Sequence, residues 1–142
     1  MKAINFFKDE YSFLSNFYKL PNGITTEHLY QAYKAKNKID EVTILLCESP
    51  GKAKKLGNSI EIKENWEDIK DKVMFTILIV KFNILELKKL LLDTKDDLLI
   101  EGNYWHDNYW GDCYCEKCKN IKGRNKLGKM LMIIRNSLNE KN

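Results

Sequence analysis

One segment of the sequence places a carboxylate, an amide and an amine at helical spacing. The stretch from Thr26 to about Asn37 has the pattern of a helix with Thr26 as its N-cap. At about 100° per residue, Glu27, Gln31 and Lys34 fall on one face over two turns. A carboxylate can activate water or stabilise positive charge on a sugar, and a lysine can protonate a leaving group or form a Schiff base with C1. A solvated helical charge pair remains the alternative.

A second segment, Asn103 to Asp112 (NYWHDNYWGD), concentrates aromatic and acidic residues. It holds two tryptophans, two tyrosines, one histidine and two aspartates. Aromatic rings can stack on a base or hold a ribose, and Asp107 can accept hydrogen bonds from sugar hydroxyls. An aromatic loop that covers the core is the alternative. Trp66, at the start of a predicted helix, is either a core residue or a stacking platform.

A cysteine cluster follows the aromatic segment, with the spacing C-x-C-x2-C. Zinc binding at Cys113, Cys115 and Cys118 needs a fourth ligand, for which the sequence offers His106, Asp112 or Cys47. The C-x-C start fits a standard zinc finger poorly, so the sequence favours reduced cysteines that bind no metal. His28 and His106 are expected to be structural.

A basic stretch, Lys117 to Lys126, ends where the last helix is predicted to begin. A phosphate there would meet positive side chains and free backbone N–H groups, whereas a solvated basic loop is the alternative. The chain carries 24 Lys and Arg against 20 Asp and Glu, a net charge of +4. This surplus suits a phosphate-bearing partner and does not establish nucleic-acid binding.

The composition is that of a globular protein that binds no membrane. At 142 residues, with 44% hydrophobic and 31% charged residues, the chain suits one domain spanning residues 1–142. No apolar stretch reaches the length of a membrane span. In the N-terminal segment, MKAINFFKDE, charged residues return at Lys8 to Glu10, which is too early for a signal peptide. We therefore expect a cytoplasmic protein.

Periodicity and capping residues predict a helix-rich α+β domain with a small β-sheet. The expected strands are Ala3–Phe7 and Leu98–Glu101, and Ser12–Tyr18 is expected to be a loop. Further helices are expected over Asp40–Cys47, from Pro50 (capped by Ser49) to Gly57, from Trp66 to Val80, through Leu87–Leu91, and after Asn125 as the cap of the last helix.

Seven blocks of the sequence, in order, resemble the NADAR (YbiA-like) family. They are FLSNFY (13–18), TTEHLYQAYKA (25–35), SPGKAKKLG (49–57), NWEDIKDKVM (65–74), KF (81–82), DNYWG (107–111) and GRNKLGKMLMIIR (123–135). Because the blocks span nearly the whole chain at compatible spacing, the resemblance is specific. The sequence departs from the family pattern in the cysteine loop, which lies where many relatives have a glycine-rich turn.

The resemblance implies a YbiA-like fold and N-glycosidase activity. The substrates it implies are phosphorylated ribosylamino-pyrimidines of riboflavin synthesis, or ADP-ribosyl-guanine in DNA or RNA. It assigns catalytic roles to Glu27, Lys34 and Asp107, with Lys34 either a Schiff-base nucleophile or a proton donor. The residues expected to bind substrate are Asn16, Phe17, Gln31, Trp66, Trp110, Gly111 and Asn125.

These assignments lead to one expectation about the site: the Glu27 face and the stretch near Asp107 share a pocket. No cofactor is expected, because ribose can carry oxocarbenium character once its leaving group is protonated. The alternative is a non-catalytic module that binds NAD or ADP-ribose, which would need the aromatic and aspartate contacts without Glu27 and Lys34 together.

Overall fold

The computed structural model of the chain describes residues 2–141 and confirms the helix-rich α+β fold. The helices are α1 (Thr26–Lys34), α2 (Lys38–Leu45), α3 (Pro50–Gly57), α4 (Trp66–Lys81), α5 (Leu85–Leu92) and α6 (Lys126–Glu140), with 3-10 helices at Asp9–Leu14 and Glu116–Cys118. The strands are β1 (Ala3–Ile4), β2 (Leu98–Leu99), β3 (Gly102–Asn103) and β4 (Asp112–Cys113). The strands are shorter than predicted, and the 3-10 helix overlaps the predicted loop at Ser12–Tyr18. No helix in residues 2–141 is both long and apolar enough to cross a bilayer.

The described residues divide into two compact units. One unit, residues 16–81, contains α1 to α4. Helix α1 packs against α2, α3 and α4, and a small core of Ala32, Ile44 and Ala53 lies beneath them. Because small alanines line α1 and α3, the helix backbones can approach closely and hold α1 in place.

Two sequence predictions in this unit need correction. The N-cap of α1 is Thr25 and not Thr26: the Thr25 hydroxyl accepts the His28 N–H, and the His28 ring accepts the Thr25 N–H. On α4, Val80 is 60% exposed, whereas Lys81 is buried. The apolar periodicity of this segment predicts Ile69, Val73, Ile77 and Val80 on the buried face. That prediction is wrong for Val80, because the buried face includes Lys81, whose long methylene stem packs in the core.

The other unit comprises residues 2–15 and 82–141. Strand β1 pairs in parallel with β2, and β3 pairs in parallel with β4. Helix α6 packs on β2 and α5. The β3–β4 pair closes the aromatic segment into a loop, since its two strands lie directly on either side of residues 104–111.

Candidate functional site

Glu27 lies in the first turn of α1 and is buried, with 8% of its surface exposed. Asn16 holds this end of the helix: its carbonyl accepts the Glu27 N–H at 3.0 Å, and its Oδ1 accepts the Thr26 hydroxyl at 2.8 Å. The positive end of the helix dipole favours an ionised carboxylate at this position. The predicted ligand residue Asn16 therefore positions the start of α1.

Lys34 lies at the other end of α1 and is half-buried. Its Nζ donates to Oε1 of Gln31 at 3.3 Å and to Oδ1 of Asn58 at 3.5 Å. Burial lowers the pKa of Lys34, and the carboxylates of Glu27 and Glu67 oppose that shift. A lowered pKa increases the fraction of neutral amine, which is the form that attacks a carbon centre.

Gln31 lies between Glu27 and Lys34 along this face and contacts the Lys34 amine. It is 4% exposed, and α3 approaches it so closely that a Cβ at Gly57 would lie 2.0 Å from its Oε1. Because α3 leaves its amide little freedom, Gln31 fixes a hydrogen-bond acceptor beside the Lys34 amine. The structure thus brings the three predicted residues of α1 onto one face, as their spacing indicated.

The two aromatic residues predicted to bind ligand in this unit differ in exposure. Trp66 is 4% exposed and packs against Tyr30, with ring centroids 5.1 Å apart. Phe17 is 46% exposed, so its ring is partly accessible to solvent. Trp66 therefore anchors the start of α4 against α1, and its predicted contact with a ligand stays a prediction.

His28 has the structural role expected of it. Its ring caps α1 together with Thr25, and its Nε2 lies 3.0 Å from the carbonyl oxygen of Cys47. It is 2% exposed, so both ring nitrogens are used in fixing α1 and the segment after α2.

In the other unit, Asp107 organises the aromatic loop. Its Oδ1 accepts the N–H groups of Tyr109 and Trp110 at 3.0 and 2.9 Å, which folds the DNYWG block into a tight turn. Asn103 stabilises the same turn, because its Oδ1 accepts the Asp107 N–H and its Nδ2 donates to the Asp107 carbonyl. The N–H groups of Tyr109 and Trp110 both bind Oδ1 of Asp107, and a contact between Oδ2 and a ligand stays a prediction.

Trp110 and Gly111 follow in the same turn. The Trp110 ring packs edge-on against Tyr109 at a centroid distance of 4.8 Å. A Cβ at Gly111 would lie 2.1 Å from the carbonyl oxygen of Glu101, so only glycine fits there. Gly111 thus lets the loop backbone approach Glu101, and a ligand contact by Gly111 stays a prediction.

Asn125 is the N-cap residue of α6, but the predicted side-chain cap is wrong. Its backbone is in the left-handed region (φ 48°), and its side chain makes no capping hydrogen bond. Oδ1 instead accepts the Glu101 N–H, and Nδ2 donates to the Leu99 carbonyl, both at 2.9 Å. Asn125 therefore links the start of α6 to the end of β2. Its side-chain oxygen and its side-chain NH₂ group both make hydrogen bonds to backbone groups there.

The start of α6 bears on the choice between a phosphate site and a solvated basic loop. The first two helical N–H groups, of Lys126 and Leu127, donate to the carbonyls of Tyr109 and Trp110 at 3.2 and 2.9 Å. These two N–H groups are therefore bound to carbonyls of the aromatic loop, and a phosphate would have to compete with those carbonyls for them. The side chains of Arg124 and Lys126 lie over the Tyr109 ring at 5.5 and 4.7 Å, which draws two cations of the basic stretch towards the loop.

The cysteine loop folds into a cluster with one histidine. The donor atoms of His106, Cys113, Cys115 and Cys118 all lie within 4.8 Å of one another. Of the other fourth ligands considered, Asp112 accepts the Gly123 N–H at 2.9 Å. Cys47 lies in residues 16–81, where its thiol donates to the Thr43 carbonyl.

Sequence reasoning missed Asn58 and Lys81 as functional candidates. Asn58 reaches the Lys34 amine only because α3 folds against α1, and no local pattern indicates that contact. Lys81 is 1% exposed, with its Nζ 5.6 Å from the Tyr18 ring centroid. Its place in the KF block, which resembles the family, was the sequence feature that could have indicated it.

A cavity of about 260 Å³ is lined by residues 2–6 and 8–11, none of them predicted to bind a ligand.

Comparison with known proteins settles the family. A family profile described as NADAR domain matches residues 5–139. The chain belongs to the NADAR family. N-glycosidase YbiA of Escherichia coli (strain K12) is 36% identical over 150 residues, which cover 95% of this chain and 88% of the relative. N-glycosidase YbiA of Shigella boydii serotype 4 is similar to the same extent.

A solved structure supports the same conclusion about the NADAR fold. The NMR structure of Escherichia coli YbiA matches with a TM-score of 0.81 at 34% identity, covering 99% of this chain and 86% of that one. The predicted family is confirmed. The predicted enzyme class, a hydrolase of N-glycosyl bonds, agrees with the name that the NADAR relatives carry.

Proposed function

We propose that this NADAR protein hydrolyses the N-glycosidic bond between a nitrogenous group and a ribose phosphate or ADP-ribose. The observation that carries the proposal is the α1 face, where buried Glu27 lies two turns from Lys34, an amine whose pKa burial lowers. A binding module needs neither group, whereas hydrolysis needs a carboxylate and gains from a neutral amine. The N-glycosidase name of the relatives points to the same chemistry.

The reaction adds one water molecule across the C1–N bond. The nitrogen leaves with a proton, and C1 keeps the oxygen of water. In the proposed route the neutral Lys34 amine forms a bond to C1 as the C1–N bond to the leaving group breaks, and one amine proton goes to the departing nitrogen. The bond between C1 and the ring oxygen then breaks, the second amine proton goes to the ring oxygen, and a Schiff base remains. Water adds to its carbon, and the sugar leaves as the free aldehyde while the amine is restored. Glu27 stabilises positive charge at C1 and directs the water.

The remaining predicted residues divide into ligand-contacting and positioning roles. Asp107 Oδ2 accepts hydrogen bonds from ribose hydroxyls, and Trp110 and exposed Phe17 offer ring faces to a base. Asn16, Gln31, Gly111 and Asn125 hold the backbone and side chains around these groups through the contacts described above. A ligand-contacting role predicts a raised KM after substitution, whereas loss of Glu27 lowers kcat.

Two substrate classes fit this chemistry: phosphorylated ribosylamino-pyrimidines and ADP-ribosylated guanine in nucleic acid. The basic stretch favours a polyanionic substrate, because Lys117, Lys122 and Arg124 are exposed. Binding to ADP-ribosylated DNA should then weaken steeply as salt rises, since phosphate contacts release counterions. A flat salt response would favour the small metabolite.

The test of the proposed function is Glu27→Gln, assayed by release of free sugar phosphate or ADP-ribose. We expect kcat to fall by about 10²–10⁴-fold, because the variant keeps the shape of the side chain and loses its charge. The matched control is Glu86→Gln, which changes an exposed carboxylate at the equivalent position in the first turn of α5. Wild-type turnover in purified, folded Glu27→Gln protein would refute the assignment.

A further inference from the structure

The cysteine loop has the geometry of a metal site. His106 Nδ1 lies 3.2 Å from the Cys115 sulfur and 3.4 Å from the Cys118 sulfur. In a tetrahedral zinc site with Zn–S near 2.3 Å and Zn–N near 2.1 Å, neighbouring donor atoms are about 3.5–3.8 Å apart. The cluster, with all donor atoms within 4.8 Å, needs only small shifts to reach that arrangement.

We propose that His106, Cys113, Cys115 and Cys118 bind one zinc ion. Three sulfurs and one imidazole nitrogen in a tetrahedral arrangement suit zinc, whereas magnesium and calcium prefer oxygen ligands. All four cysteines of the chain are free thiols, so no disulfide competes for these sulfurs. Binding converts the three thiols to thiolates and releases their protons to solvent.

The backbone around the cluster supports a ligand role for His106. This residue adopts φ 70°, in the left-handed region, which is strained for a non-glycine residue. The strained conformation aims Nδ1 at two cysteine sulfurs, and the ring is exposed although it makes these contacts. Coordination of a metal ion would offset the strain.

N–H groups of the loop donate hydrogen bonds to two of the sulfurs. The His106 and Cys115 N–H groups donate to the Cys113 sulfur at 3.3 and 3.5 Å, and Asn108 Nδ2 donates to the Cys118 sulfur at 3.4 Å. Asn108 Oδ1 also accepts the Cys113 N–H at 2.9 Å. Such N–H donors stabilise thiolate ligands and orient them, as outer-shell groups do in metal sites.

The proposed site is structural, because four protein ligands leave no open coordination position. His106 precedes Asp107 directly, and Cys113 lies in β4 at the other end of the same loop. A zinc ion bound there clamps both ends of the turn that carries Asp107 and Trp110. This inference does not depend on the proposed N-glycosidase activity, since a binding module with this loop would gain the same clamp.

The test is the metal content of the purified full-length protein. We expect one zinc per chain by elemental analysis, a lower melting temperature after chelation, and recovery when zinc is added back. Cobalt substitution should give the thiolate-to-metal and d–d absorption bands of a tetrahedral site. The matched control is Cys47→Ser, which changes the cysteine outside the cluster and should keep the metal.

Two variants separate metal binding from folding. Cys118→Ser removes a buried ligand and should lose the zinc. His106→Asn changes an exposed residue to one that tolerates the left-handed backbone, so it should fold. We expect it to bind zinc more weakly by more than about tenfold, because loss of an outer-shell group alone costs about 10–100-fold.

Either of two results would overturn the proposal. The first is a wild-type protein that is metal-free and gives no tetrahedral cobalt spectrum on reconstitution. The second is a folded His106→Asn protein that binds zinc as tightly as the wild type, which would exclude the histidine as a ligand. Because both readouts are independent of sugar release, they stand apart from the test of the proposed function.

Discussion

The α1 face and the aromatic loop present their chemical groups in different ways. On α1, the spacing of Glu27, Gln31 and Lys34 follows from helix geometry, and Thr25 and Asn16 fix where the helix begins. In residues 103–118, position depends on polar contacts between residues several places apart, such as Asn103 with Asp107. The helix face can therefore lose one functional side chain without changing shape, whereas the loop cannot.

This contrast indicates a division of labour. In the proposed function, the groups whose charge acts in bond cleavage lie on a capped helix, where neighbours set their electrostatics. The loop residues proposed to contact a ligand are held by hydrogen bonds and, as we propose, by a zinc ion. Substitutions on α1 should then change rate more than stability, and substitutions in the loop should change both.

The largest effect should come from Lys34→Gln. Loss of the amine removes the proposed nucleophile, and we expect kcat to fall by about 10²–10⁴-fold with little change in melting temperature. Borohydride should trap a sugar adduct on Lys34 of the wild type during turnover and none in the variant. The control is Lys36→Gln, which changes an exposed lysine paired with Glu61 and Glu64.

The pH profile of the wild type separates the two roles considered for Lys34. A nucleophile must be neutral, so the rate should rise as pH increases through the Lys34 pKa, at a lower pH than for an ordinary lysine. A proton donor gives the opposite slope, and a rate that falls with pH through that range would contradict the Schiff-base route.

In the loop, Asp107→Ala should cost both stability and binding. Two backbone N–H groups lose their shared acceptor, which we expect to lower the free energy of unfolding by about 1–3 kcal/mol. Asp107→Asn keeps an acceptor oxygen and should cost less than half as much in urea unfolding, while KM still rises. Equal destabilisation by the two substitutions would show that Oδ1 does not hold the turn.

The smallest effect should come from Glu67→Gln. The carboxylate of Glu67, on a side chain that is 77% exposed, raises the pKa of Lys34. Its removal should lower that pKa further and move the rising part of the pH–rate profile to slightly lower pH. Glu64→Gln is the control, because Glu64 pairs with Lys36; an unmoved profile for Glu67→Gln would exclude this electrostatic coupling.

The helical elements and the α1 face were predictable because both depend on local spacing. Ser49 and Pro50 begin α3 as their types indicate, and α4 begins at Trp66. The hydrogen bonds of the first α6 amides and the backbone contacts of Asn125 were not predictable, and neither was the choice of His106 among three candidate fourth ligands. Each depends on which carbonyl or sulfur the folded loop brings near. Sequence spacing does not contain that information.

The most direct test of the account is mass spectrometry of the products from two substrates in parallel, ADP-ribosylated DNA and a ribosylamino-pyrimidine phosphate. We predict that wild-type protein releases free ADP-ribose or ribose phosphate from at least one of them, and that Glu27→Gln releases neither at a comparable rate. If both ligands remain intact after long incubation with excess protein, the chain is a binding module and the account is wrong.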